Sequence, residues 1–269
     1  MKLCFSTIGC PDWSWDEIFA TVKDMGFPGV EVRGIGDELF IPNARPFIDK
    51  HIAITTAQLR RSGVEIPMLT SGICLATDSE EAVMHDAAAY IDLAQKLGTP
   101  YIRLMPTSKP QAEGPIDEEM VADRYEKICA YGAERGVAPL IETNGVFCDT
   151  GYFARFLNKI QAENKGVLWD IHHPYRYHGE MPEETMRNIG GLIRYVHVKD
   201  SRMENGDVKY RMMGYGDVPV EDAVRRLSAA GYNGYLSLEW VKRWNRDLED
   251  GGVVFAHYKG YMDHLLQKI

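Results

Sequence analysis

The feature that most constrains this chain is a repeat of kind rather than of letters. A short run rich in Val, Ile and Leu is followed by a longer stretch with apolar residues three and four apart, and the cycle recurs eight times. The short runs are LCFSTIG from Leu3, GVEVRG from Gly29, EIPMLTSG from Glu65, YIRLMP from Tyr101, APLIETNG from Ala138, GVLWDIHH from Gly166, IRYVHVKD from Ile193 and YLSLEW from Tyr235. Between them lie segments such as WDEIFATVKDMGF and SEEAVMHDAAAYIDLAQKLG. Gly26, Gly63, Gly98, Gly136 and Gly231 stand where helix C-caps are expected. Alternation of strand and helix implies parallel strands joined by right-handed crossovers. Eight such units in 269 residues fit a (β/α)8 barrel, read as a single domain over residues 1–269. A doubly wound open sheet is the runner-up, but the turn after the first strand, GCPDW, carries no Gly-rich phosphate fingerprint.

Composition narrows the partners. A net charge of −9 disfavours nucleic acid and anionic membranes. No segment is long and apolar enough for a bilayer span, and the N-terminus lacks the pattern of a signal peptide. Cys4, Cys10, Cys74, Cys129 and Cys148 are odd in number and show no pairing pattern, as expected of a reduced, cytoplasmic protein. The expected partner is a small molecule bound by one chain or by a homo-oligomer.

Active sites of such barrels are built at the C-terminal ends of the strands. Four consecutive strands end in groups that bind protons or metals: Glu142 in LIETNG, Asp170 in LWDIHH, His197 in YVHVKD and Glu239 in LSLEW. Each is flanked by apolar residues and is expected to face the barrel mouth. Three carboxylates and one imidazole at one spot would repel and desolvate one another without a cation. A divalent metal resolves this, and mixed oxygen and nitrogen donors suit Mn²⁺ first, then Mg²⁺, Co²⁺ or Zn²⁺.

Taken in order, FSTIGCPDWSWDE, GFPGVEVRG, IETNG, WDIHH, VHVKDSR, GYGDVP and SLEW resemble the landmarks of the sugar phosphate isomerase/epimerase family, the xylose-isomerase-like barrels, along essentially the whole chain. The resemblance implies one divalent metal held by Glu142, Asp170, His197 and Glu239. It also implies Glu142 and Glu239 as the acid/base pair and His173 as a substrate contact. His172 turns the other way and is expected to support a neighbouring site residue from behind or to pack. The implied chemistry is isomerisation or epimerisation of a keto sugar or related polyol through a cis-enediolate.

Around this set, Lys199 is expected to hold an enediolate or a substrate anion, or to pair with Asp200 at the surface. Arg103 is expected to hold substrate oxygens, and Arg33 and Glu31 to pair with each other. Trp13, Trp15 and Phe147 are candidates for a wall over a sugar ring, with core packing as the alternative. Asn144 stands where many of these enzymes carry His, keeping a hydrogen-bonding group without a proton carrier. VHVKDSR looks closer to the keto-inositol dehydratases, which sustains a metal-dependent lyase as the alternative. An apurinic-site endonuclease-like hydrolase is weaker, because LTSGIC and RLMP lack the extra histidines and the chain is acidic. A non-catalytic barrel is weakened by the intact four-ligand set.

Overall fold

A computed structural model describes residues 1–269. The order is β1 (Lys2–Phe5), α1 (Trp15–Asp24), α2 (Ile52–Ser62), β2 (Met68–Cys74), α3 (Glu80–Leu97), β3 (Tyr101–Met105), α4 (Glu118–Ala133), β4 (Ala138–Glu142) and α5 (Thr150–Leu157). Then follow β5 (Gly166–Asp170), α6 (Pro182–Ile189), β6 (Ile193–Val198), β7 (Asp200–Glu204), β8 (Asp207–Arg211), α7 (Val220–Ala229), β9 (Tyr235–Leu238) and α8 (Gly251–Leu266). The chain divides into two compact units, Met1–Pro67 with Val196–Ile269, and Met68–Tyr195.

In the first unit β1 pairs in parallel with β9, in register Lys2↔Tyr235 to Phe5↔Leu238, and β9 pairs with β6 from Val196↔Leu236. The expected second strand is present only as bridges, Ser6↔Glu31 and Gly29↔Glu65. Its ladder is cut short for two reasons. Pro28 has no N–H to give, and the Thr7 hydroxyl takes the amides of Arg33 and Gly34 that a longer strand would use. In the second unit β2, β3, β4 and β5 form a parallel ladder in sequence order, with Arg103↔Leu140 and Glu142↔Leu168 in register. Leu3, Val30, Val32, Leu140, Leu168, Val196 and Leu238 are all buried, as the eightfold pattern predicts.

The helices follow the apolar spacing with two truncations. The periodic stretch from Ala44 becomes regular only at Ile52, because Pro42 and Pro46 remove donors and the Pro46 carbonyl is taken by the Thr55 hydroxyl. The stretch from Thr150 stops at Leu157, whose carbonyl accepts from the Lys165 ammonium at 3.0 Å. Gly63 and Gly98 close α2 and α3 at φ +68° and +73°, a conformation other residues adopt only at a cost. The β7–β8 hairpin breaks the alternation. It turns on Asn205 and Gly206, both at positive φ, the sequence signal of a tight hairpin turn. No helix is long and apolar enough to cross a membrane. All five cysteines are buried thiols.

Candidate active site

In the second unit, the ends of β3, β4 and β5 bring Arg103, Glu142, Asp170 and His173 into one buried network. Burial is nearly complete, with Glu142 1% exposed, Asp170 0%, Arg103 5% and His173 7%. Arg103 Nη1 donates to Glu142 Oε2 at 3.1 Å, while its Nε and Nη2 donate to the Ser71 carbonyl at 3.2 and 2.7 Å. The Ser71 hydroxyl in turn donates to the Arg103 carbonyl. Three of the guanidinium's N–H groups thus hold the protein and orient a carboxylate.

Asp170 is fixed through its backbone and its side chain. Its amide donates to the Thr143 hydroxyl at 2.9 Å, and its Oδ1 accepts the His172 amide at 2.9 Å. His173 Nδ1 lies 3.2 Å from the Thr143 carbonyl, which can only accept, so the ring proton sits on Nδ1. Nε2 faces Asp170 Oδ2 at 3.4 Å. A lone pair there, facing a carboxylate, would be unfavourable unless a proton or cation lay near it. Ligand atoms of Glu142 and Asp170 lie within 4.8 Å of each other. His172 is fully buried and packs its ring on Tyr177, in keeping with the packing role expected of it. Asn144 Nδ2 donates to the Thr107 carbonyl at 2.7 Å, and its buried Oδ1 accepts nothing from the protein.

The first unit builds a matching cluster at the ends of β6 and β9 and at the bridged segment. His197 Nε2 lies 2.9 Å from Glu31 Oε2, and both side chains are fully buried. A carboxylate only accepts, so Nε2 carries a hydrogen, while Nδ1 lies 3.5 Å from Glu239 Oε1. A metal-binding histidine usually donates its other ring N–H to a carboxylate or carbonyl, as Nε2 does here to Glu31. The sequence pairs Glu31 with Arg33, whereas the structure brings it to His197. The signal was available in the β-alternation of VEVRG, which puts Glu31 on the face opposite Val30 and Val32.

Lys199 is 2% exposed and donates to Glu239 Oε2. The surface pairing with Asp200 gives way for a structural reason. The Asp200 carboxylate accepts backbone amides of Ser201, Gly214, Gly216 and Val218, at 2.8 to 3.2 Å. Burial raises its pKa above the usual carboxylate value, and the four amides oppose that rise. This cradle explains GYGDVP, since a Cβ on Gly216 would fall 1.8 Å from Asp200 Oδ1. Of the aromatic wall, Phe147 stacks on Phe153 inside the second unit and Trp15 packs on Phe47, so both lie in aromatic clusters. Trp13 is half-buried, edge-on to Phe255.

A model of the xylose isomerase-like TIM barrel matches residues 19–253. The chain belongs to this family. Its fold is accordingly the TIM barrel, and the strand–helix alternation described above is that barrel's. Among curated proteins it is similar to fructoselysine 3-epimerase of Shigella flexneri, 20% identical over 252 residues covering 90% of each chain. Among solved structures it is similar to the IOLI protein with a bound zinc atom (TM-score 0.80, 16% identity, 100% of this chain and 99% of that one). It is also similar to D-allulose 3-epimerase from Methylomonas sp. in complex with D-allulose (TM-score 0.78, 16% identity, 100% and 97%).

Proposed function

We propose that this chain is a divalent-metal-dependent isomerase or epimerase of a keto sugar or related polyol, working as a single TIM-barrel domain. The observation that carries the reading is the donor chemistry. Glu142, Asp170, His197 and Glu239 are buried at strand ends, and the His197 proton is held on Nε2 by Glu31. This set fits a divalent ion, and these four residues would hold it, with Mn²⁺ the first candidate. When bound, such an ion polarises a carbonyl and acidifies the adjacent C–H. Family membership, the zinc held by the IOLI protein and the D-allulose held by the Methylomonas epimerase support the same reading.

In this mechanism Glu142 and Glu239 move the proton. One takes it from carbon to give the cis-enediolate, and the other returns a proton. Return to the opposite face of the same carbon is epimerisation, and return to the neighbouring carbon is isomerisation. Arg103 sets the orientation of the Glu142 carboxylate. Lys199, on its Glu239 contact, supplies positive charge for the enediolate or a substrate anion. Asn144 offers Oδ1 to a substrate hydroxyl, and His173 contacts the substrate between Glu142 and Asp170. The expected ligand is a small carbohydrate in a soluble, cytoplasmic enzyme.

The test is metal analysis of purified protein, followed by solvent-deuterium incorporation into a panel of keto sugars and keto-inositols. Stoichiometric divalent metal and deuterium at one carbon of a keto sugar are expected. A product lacking water, with little reversible exchange, would convert the assignment to a dehydratase. Asp170→Ala should lose most of the metal, since two carboxylates and one imidazole remain to hold it. If that variant keeps stoichiometric metal after dialysis against chelator, Asp170 is not a ligand.

A further inference from the structure

We infer that residues 107–116, between β3 and α4, are a lid over the strand ends that carry Arg103, Glu142 and Asp170, and that Asn144 latches it. The role given to closure rests on the isomerase or epimerase reading. The latch rests on contacts alone.

Both ends of the segment are anchored. The Pro106 carbonyl accepts the Ala76 amide at 2.9 Å, and the Asp117 side chain caps α4 by accepting the Met120 amide at 3.0 Å. Between these anchors the segment is tied to the start of the β4–α5 loop. Asn144 Nδ2 donates to the Thr107 carbonyl at 2.7 Å. The Gly145 amide and Cys148 Sγ both donate to the Pro110 carbonyl, at 2.9 and 3.1 Å, and Gln111 bridges to Gly145. Gly145 has φ +55°, and a Cβ there would fall 2.4 Å from Thr107 Oγ1, so only glycine permits this approach.

The latch is polar and marginal. No residue from 107 to 116 is buried, and the ion pair of Lys109 with Glu113 lies within the segment and moves with it. A segment that buries so little opens at low cost. Closure also seals Asn144 Oδ1 from water without a donor in the protein, a cost that opening relieves. Gly114, at φ +137°, supplies a flexible point inside the segment.

The latch reports directly to the site. Asn144 lies two residues beyond Glu142, and its amide donates to the Glu142 carbonyl at 2.8 Å. Residues 112 and 114–116 line a cavity of about 520 Å³ together with Gly145, Val146 and Tyr177, and the Tyr177 ring lies 5.8 Å from that of His173. Closing the segment would exclude water while Glu142 moves a proton.

The experiment follows cleavage after Glu113 by a glutamyl endopeptidase, and hydrogen exchange of the Gly145 amide, in the full-length protein. Asn144→Asp keeps the size and an acceptor oxygen but cannot donate to the Thr107 carbonyl. Gly145→Ala drives a methyl against Thr107 and opens the latch without touching Asn144. Each should speed both processes about tenfold, as expected for one lost hydrogen bond, with cleavage elsewhere unchanged. A keto sugar that the enzyme turns over should slow cleavage of the wild type and protect Asn144→Asp less. Wild-type cleavage and exchange in both variants overturn the latch. Cleavage that a turned-over keto sugar leaves unchanged overturns the lid. Faster cleavage throughout the chain means unfolding in that variant, and the other variant then decides. The latch is read without turnover, so failure of the catalytic reading would leave that result standing.

Discussion

Two glutamates, one in each compact unit, carry buried cationic partners, and the partners differ. Glu142 is held by Arg103, whose guanidinium makes two further bonds to the Ser71 carbonyl. Glu239 is held by Lys199, a single ammonium on a flexible stem, two residues beyond His197. A guanidinium is planar, permanently charged and directional, so it fixes a carboxylate in one orientation. An ammonium is a point charge that can rotate toward a new acceptor without breaking a fork of bonds. The contrast suggests a division of labour. Glu142 is set in place before substrate arrives, whereas the partner of Glu239 can turn toward a developing oxyanion.

The largest effect should come from removing the two carboxylates proposed to move the proton. Glu142→Gln and Glu239→Gln keep the side-chain size and one carbonyl oxygen but cannot take a proton from carbon. Each should lower kcat by about 10²–10⁴-fold in the metal-replete enzyme. The comparison sharpens if one variant still exchanges substrate hydrogen with solvent while the other does not. Near wild-type turnover in both would reduce these residues to ligands.

Next comes the stability of the two pairs. Arg103→Ala leaves a buried carboxylate without its cation and the Ser71 carbonyl without its donors, and should cost about 3–5 kcal/mol in denaturant unfolding. Lys199→Met takes the cation from Glu239 but strips no backbone carbonyl of its donors, and should cost less. Should Lys199→Met prove the more destabilising, the distinction between a rigid and a mobile partner fails.

A subtler probe exchanges the cations. Arg103→Lys keeps the charge and loses the fork, so Glu142 is misplaced and kcat should fall by about 10–100-fold with KM little changed. Lys199→Arg should mainly affect KM through crowding. Equal effects of the two exchanges on kcat would argue that charge alone matters. The smallest effect concerns the amide cradle of Asp200, the residue after Lys199. Gly216→Ala would drive a methyl into the Asp200 carboxylate and should cost about 1–3 kcal/mol by overpacking, read as a lowered Tm.

Much of this was legible in the residues. The strand ends carrying Glu142, Asp170, His197 and Glu239 stood out because short apolar runs of period two lead directly into charged groups. The helix ends at Gly63 and Gly98 were marked because only glycine takes the left-handed cap without strain. The β7–β8 hairpin was missed although Asn205–Gly206 signals it, because its strands lack an apolar face to bury. Residues 29–34 read as a full strand, yet capture of the Arg33 and Gly34 amides by the Thr7 hydroxyl leaves only bridges.

By itself the sequence determined the periodicities, and with them the parallel α/β architecture and the candidate donors. These are local properties, set by the alternation of side chains along a strand and their recurrence along a helix. Tertiary structure alone decided the partners. Arg103 closing on Glu142, Glu31 on His197, Lys199 on Glu239 rather than Asp200, and the amides around Asp200 join positions 14 to 166 residues apart, apart from the Ser201 amide next door. No local pattern encodes such pairings. They arise because buried charges must find compensation within the fold, and which one is in reach depends on how distant segments pack.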